Sequence, residues 1–298
     1  MRLDFSQENS MHLLYPFARR FIAGEDMPSA LQSVRKLKEQ GYESTIDILG
    51  EAVNLPEEAC LARDEYLYLI QNADPFDPSL DISIKLTQVG LDIDRNLCRD
   101  NLLKILNASE KHTIRFDMEG SAHTDEIITM CLELSKEHSN LGIALQAMLY
   151  RTETDVEAMM ANKVSVRLCK GAYKEPKSIA FQSMDEIRER FITLAERLLI
   201  EGRLPSIATH DEFILKRLLE FIESRKISPG TFYFEMLYGM RRDLQDILLK
   251  KGYRVRIYTP YGKSWLPYTL RRLAEKKENI IFVLKNLIRE TLGAQKIH

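Results

Sequence analysis

Residues 184–236 read MDEIRERFITLAERLLIEGRLPSIATHDEFILKRLLEFIESRKISPGTFYFEM, and the order of signals in this stretch decides the fold class. From Met184 to Glu201, apolar residues recur at three- and four-residue spacing, the pattern of a helix with one buried face. Gly202 stands where that helix should stop. A short β-rich run, Ser206–Thr209, follows it, and Asp211 is placed to cap the next amphipathic stretch, Asp211–Arg225. A further β-rich run, Thr231–Met236, closes the unit. Helix, strand, helix and strand in this rhythm are what parallel strands joined by helical crossovers look like in sequence.

The rhythm extends in both directions. Ser44–Leu49, Asp81–Leu86, Thr113–Met118, Leu141–Gln146 and Val164–Leu168 read as earlier strands, and Arg254–Thr259 as a later one. Asp125–Glu137, with Thr124 or Asp125 as its cap, and Arg242–Lys250, with Gly252 at its end, read as further helices. An open doubly wound sheet and a closed barrel share this alternation, but about 250 residues for eight units is the size of the barrel. The expected fold is therefore α/β: a (β/α)₈ TIM-type barrel over residues 43–298, preceded by extra N-terminal helices over residues 1–42. No Pro/Gly/Ser-rich linker interrupts it, so one domain is expected.

Composition narrows the function classes. Of 298 residues, 45% are hydrophobic and 29% charged, the balance of an ordinary globular protein. A formal net charge of −2 gives no global reason to bind nucleic acid or an anionic membrane. Cys60, Cys98, Cys131 and Cys169 are dispersed without a CxxC pair, which suggests a reducing compartment. The first apolar stretch, His12 to Ile22, is broken by Pro16 and the Arg19-Arg20 pair and makes a poor secretory signal. No run reaches the roughly eighteen apolar residues of a membrane span. The expected setting is the cytoplasm.

A barrel carries its chemistry at the C-terminal ends of its strands. Those ends are polar here: Lys85-Leu86-Thr87, Asp117-Met118-Glu119, Gln146, Arg167 through Tyr173, Thr209-His210-Asp211, Glu235 and Tyr258. In Arg167-x-x-Lys170-Gly171, two cations flank a glycine that lets backbone N–H groups approach an anion. Taken alone, this segment reads better as a plain strand-to-helix turn. Asp117, Glu119, His123 and His210 match no metal-ligand spacing, so no metal is expected. Arg271 and Arg272 suit a carboxylate if their helix overhangs the mouth; alone, they read as a solvated basic face.

Together these segments resemble the proline dehydrogenase family. The motifs are SIKLTQVGLD (83–92), RFDMEGS (115–121), ALQAML (144–149), VRLCKGAYKEP (166–176), IATHD (207–211), FEMLYGM (234–240) and RVRIYTPYGKSWLPYTLRRLAE (254–275), in family order. The resemblance is to the monofunctional bacterial form. It implies a distorted barrel with a final helix over the mouth, FAD as cofactor, and L-proline oxidised to Δ1-pyrroline-5-carboxylate. A quinone would be the onward acceptor, with loose association at the inner face of the membrane.

By the same resemblance, Arg271 and Arg272 clamp the substrate carboxylate beside Lys85. Tyr258, Tyr173 and Leu237 pack against the ring, and Asp117 orients the polar groups. Met118, Gln146, Arg167, Lys170, Gly171, Ala172, Thr209, His210, Asp211 and Glu275 fall on the flavin side, and Glu51 pairs with Arg271 as a gate. Three departures stand out: Asp211 for the family's usual Asn, Glu235 for Gln and Gly120 for Asp. The two acids add negative charge near the flavin. Cys169 reads as a small buried hydrophobe. Alternatives are a dehydrogenase of hydroxyproline or another cyclic imino acid, a non-catalytic flavin- or metabolite-binding barrel, and a cofactor-free lyase or isomerase.

Overall fold

In this computed structural model, eight parallel strands close into a barrel in sequence order. They are β1 (Glu43–Ile48), β2 (Asp81–Ile84), β3 (Thr113–Phe116), β4 (Leu141–Gln146), β5 (Ser165–Cys169), β6 (Ser206–Ala208), β7 (Tyr233–Leu237) and β8 (Val255–Tyr261). The structure describes residues 15, 18–50, 52–73, 75–77 and 79–274. Closure is made by β1 against β8, in register from Glu43 opposite Arg256 to Ile48 opposite Tyr261. Helix α1 (Met27–Glu39) precedes β1. One helix then follows each strand: α2 (Pro56–Ala73), α3 (Arg95–Ala108), α4 (Ser121–Leu134), α5 (Thr152–Ala161), α6 (Met184–Glu201), α7 (Glu212–Arg225), α8 (Arg242–Lys250) and α9 (Trp265–Ala274). Among the described residues, no helix is long and apolar enough to cross a membrane.

The strands alternate with a period of two. Ile46, Ile82, Ile84, Ile114, Phe116, Ile143, Val166, Leu168, Ile207, Phe234 and Ile257 are all buried in one hydrophobic cluster with the helices. That cluster is the main core, lying between barrel wall and helical ring, and burying each such side chain contributes about 1.5–3 kcal/mol. The intervening residues turn into the barrel and are polar or charged: Thr45, Asp47, Asp81, Ser83, Arg115, Arg167, Glu235 and Arg256 are all buried. Parallel strands are usually apolar on both faces, and TIM-barrel interiors are usually filled by branched aliphatics. This one is filled by ion pairs.

Several strand limits differ from the sequence expectation. β7 runs through Leu237 and β8 through Tyr261, so Glu235 and Tyr258 lie within strands rather than at their ends. Helix α4 begins at Ser121 behind an N-cap Gly120, not at Thr124 or Asp125. Its cap comes from far along the chain, because the Glu175 carboxylate accepts from Ser121 N at 2.8 Å and from Ser121 Oγ at 2.5 Å. Asp211 does cap α7, accepting from Phe213 N at 3.2 Å.

A second, smaller cluster seats α9. Trp265 and Tyr268 pack with Ala18, Phe21 and Ile22, and with Leu49 and Met240 beyond the ends of β1 and β7. Trp265 Nε1 donates to Glu25 Oε1 at 2.8 Å. The chain before α1 thereby holds α9 at the C-terminal end of the barrel.

Candidate active site

Toward the mouth of the barrel, four side chains from β1, β8 and the residues just past β2 and β3 meet. Lys85 Nζ lies 2.6 Å from Asp47 Oδ1 and 3.5 Å from Asp117 Oδ2. Asp117 is crowded with donors, accepting from Ser83 Oγ at 2.6 Å, Arg167 Nη1 at 2.8 Å and the Tyr258 hydroxyl at 2.9 Å. The Tyr258 ring also lies under the Arg167 guanidinium, 5.1 Å from centroid to Cζ. Each of these residues follows from its strand position: Lys85 and Asp117 come one residue past β2 and β3, while Asp47, Arg167 and Tyr258 occupy inward registers of β1, β5 and β8.

The two carboxylates titrate apart. Burial raises Asp47, and the nearby Lys85 only partly offsets that. Burial acts on Asp117 too, but Lys85 and Arg167 outweigh it and hold this carboxyl below the usual range. Lys85 is lowered by burial and raised more by Asp47 and Asp117, so it stays protonated.

Deeper in the barrel the ion pairs continue. Asp81 binds Arg115 Nη2 at 2.7 Å, Arg256 Nη1 at 3.1 Å and Arg167 Nη2 at 3.3 Å, and Arg167 Nε reaches Glu235 at 2.8 Å. Burial tends to raise Asp81, but the three guanidinium groups win and lower it strongly. Gly142 makes room for this layer, since a Cβ there would lie 2.7 Å from Arg115 Nη1.

On the β4–β6 side a second polar corner forms. Gln146 Nε2 donates to the Glu119 carbonyl at 3.1 Å, and its Oε1 accepts from Ala172 N at 3.3 Å. Gly171 has φ +124°, and a Cβ would lie 2.3 Å from Met148 Sδ, so glycine is required in this turn. Asp211 Oδ2 receives both Lys170 Nζ at 3.0 Å and Arg188 Nε at 2.8 Å. Arg188 also pairs with Asp185 at 3.1 Å, so the two cations of this corner face two carboxylates, and it is the bare backbone turn at Gly171, with Lys170 beside it, that fits the diphosphate of a dinucleotide cofactor. His210 Nε2 accepts from Leu237 N at 2.9 Å, and the Thr209 hydroxyl accepts from Asp211 N at 3.1 Å.

A profile of the proline dehydrogenase family matches residues 30–285. The chain belongs to the proline dehydrogenase family. Proline dehydrogenase 2 of Bacillus subtilis is 36% identical over 275 residues, covering 92% of this chain and 91% of that protein. Proline dehydrogenase of Deinococcus radiodurans is 34% identical over 285 residues, covering 93% and 91%. Among solved structures, proline utilization A (PutA) from Bdellovibrio bacteriovorus, inactivated by N-propargylglycine, superposes with a TM-score of 0.81 at 24% identity. The match spans 92% of this chain and 34% of that one, and it supports the barrel fold.

The family residues expected from sequence divide into groups. Lys85, Asp117 and Tyr258 converge at the mouth, with Arg167 against both Asp117 and the Tyr258 ring. Gln146, Lys170, Gly171, Ala172 and Asp211 gather at the second corner, whereas buried Met118 belongs to the main hydrophobic core. Leu237 packs beside the cluster that seats α9, and Tyr173 is exposed. Arg272 lies over the Tyr268 ring at 5.3 Å. Glu51, Glu275 and the Arg271 side chain lie outside the described residues.

Two readings are corrected. Arg167 and Lys170 do not flank one anion site: Arg167 points into the barrel onto Asp117, Asp81 and Glu235, while Lys170, three residues on, serves Asp211. The added negative charge of Glu235 and Asp211 is answered within the chain, by Arg167 and by Lys170 with Arg188. Glu119 and His123 also part from any shared site, binding Thr87 Oγ1 at 2.5 Å and Asp92 at 2.7 Å. Burial lifts the Cys169 thiol to about 12, consistent with a packing role.

Sequence reasoning passed over Asp47, Asp81, Arg115 and Arg256. The signal lay in the alternation of Thr45-Ile-Asp47, Asp81-Ile-Ser83-Ile-Lys85 and Arg115-Phe-Asp117, polar at every second place.

Proposed function

We propose that this chain is an FAD-dependent proline dehydrogenase that oxidises L-proline at its C–N bond to Δ1-pyrroline-5-carboxylate. The observation that carries the reading is the convergence of Lys85 and Asp117, one residue past β2 and β3, with Tyr258 of β8, in a chain of this family. When bound, FAD supplies the hydride acceptor and passes the electrons on to a quinone-type carrier.

The chain's own residues bind and orient. Lys85 and Arg272 draw the substrate carboxylate, with Arg271 beside them. Tyr258, held by Asp117, presents its ring to the pyrrolidine, with Leu237 and Tyr173 adding cover. Gln146 and Arg167 lie toward the flavin ring, and Lys170, Gly171, Ala172, Thr209, His210 and Asp211 toward its diphosphate and nucleotide. Fixing the ring carbon against its acceptor is the protein's main contribution, because oriented reactants need little further ordering. Delivery to a membrane quinone places a cytoplasmic chain loosely at the inner face of the membrane.

The test is the visible spectrum. The purified protein should be yellow, release FAD on denaturation, and bleach when L-proline is added without oxygen. A colourless protein that fails to take up added FAD overturns the reading.

A further inference from the structure

We infer that Asp47 is a positioning residue of this site, fixing in place and keeping charged the Lys85 ammonium that meets the substrate carboxylate; the inference rests on the proline-oxidising reading above. Lys85 has two carboxylate neighbours, and only one holds it closely, Asp47 at 2.6 Å against Asp117 at 3.5 Å. Asp117 already accepts from Ser83, Arg167 and Tyr258. Its oxygens are committed to those donors, so Asp47 is the anchor.

The pair is also oriented. The Asp47 side chain is 1% exposed and that of Lys85 is 23% exposed. The carboxylate sits beneath and cannot reach a ligand, while the ammonium above it can. Besides Lys85, the ionisable groups facing Asp47 are Asp117 from β3, Tyr258 and Tyr261 from β8, and Tyr66 from α2. None of these is another cation, so Asp47 has Lys85 alone for charge balance, while Lys85 is also faced by Asp117 and, more weakly, by Glu119. A buried ammonium that loses its partner tends to give up its proton. Burial lowers the affinity of Lys85 for its proton, and the surrounding carboxylates restore it, Asp47 first, then Asp117 and Glu119. Removing the Asp47 charge therefore brings deprotonation of Lys85 down into the measurable alkaline range.

The experiment measures binding of cyclopentanecarboxylate, a carboxylate with proline's ring size and no ring nitrogen. It is done by calorimetry on the holoenzyme from about pH 7 to 10, for wild type, Asp47→Asn and Asp47→Ala, with proline kinetics alongside. Asn keeps the volume and an acceptor oxygen, so it separates charge from packing. Wild-type affinity should be flat over this range. Both variants should bind about 10- to 100-fold more weakly, as when the outer partner of a ligand-binding side chain is removed. Their affinity should fall further as pH rises, and KM for proline should rise more than kcat falls.

An Asp47→Asn enzyme with wild-type affinity and a flat profile overturns the inference. Should neither variant fold, the wild type still decides, because loss of binding at the ordinary lysine value near pH 10 would show that Asp47 does not hold the charge. A wild type that neither binds the probe nor oxidises proline overturns the proline reading, and this inference falls with it. A wild type that does both, with unaffected variants, sinks the inference alone.

Discussion

Tyr258 and Arg272 carry the residue-scale expectations. The Tyr258 hydroxyl is spent on Asp117 at 2.9 Å and its ring lies against Arg167, so the phenol is a fixed wall. A 4-hydroxyl on the substrate ring has little room beside it, and L-proline should be preferred to trans-4-hydroxy-L-proline. Discrimination against an added hydroxyl is often only about 10²-fold. Tyr258→Ser should narrow the gap, mainly by lowering kcat/KM for proline; a ratio of the two kcat/KM values unmoved by the substitution removes Tyr258 from specificity. Arg272 rests on the Tyr268 ring, which is itself buried in the cluster that seats α9. Its guanidinium is held by packing before any ligand arrives. Arg272→Met should cost on the order of 2–5 kcal/mol of carboxylate binding, seen as a steep rise in KM for proline with an unchanged flavin spectrum. Wild-type KM in that variant returns Arg272 to a surface role.

At the scale of the element, β4 offers a clean test. Gly142 faces inward opposite Arg115, and an added methyl would also lie 3.0 Å from the Ser165 carbonyl. Both neighbours are pinned, Arg115 by Asp81 and the carbonyl by its strand. Gly142→Ala should therefore destabilise by about 1–3 kcal/mol, the usual cost of overpacking, and lower the melting temperature; an unchanged melting temperature would mean that the arginine swings aside freely. The same strands show what was legible beforehand. Helix α6 and strand β4 were read to the residue, since one carries a long amphipathic period and the other a continuous apolar run from Leu141 to Leu145 that ends at Gln146. The start of α4 was misread because its cap, Glu175, lies 54 residues downstream. The mouth was legible through family motifs at Lys85, Asp117 and Tyr258. Asp47 and the lower ion pairs were not, because polar residues inside a parallel barrel run against the expected apolar fill, and only closure of the barrel brings β1, β2, β3 and β5 face to face.

For the whole molecule, the buried ion pairs set the response to acid. Asp81, Asp117 and Asp211 have folded pKa values below the ordinary aspartate value. A depressed carboxylate contributes stability that is present above its unfolded pKa and lost as pH falls through the folded one. Asp47 and Glu65 are raised and work in the opposite sense, against these three and the exposed Asp26, Glu153 and Asp243, which are also lowered. Stability measured by chemical denaturation should thus decline as pH drops below about 4, and a flat profile from pH 6 to 3 would contradict it. The polar interior described above also governs how such a sequence can change over generations. A lone neutral replacement at Arg167 or Asp81 strands an opposite charge away from water, at about 3–5 kcal/mol, a third or more of a typical domain's total stability. A paired replacement restores neutrality and is far cheaper than the sum of its halves. Divergence inside this barrel must therefore travel along correlated, two-site routes, while the aliphatic outer wall can drift one side chain at a time.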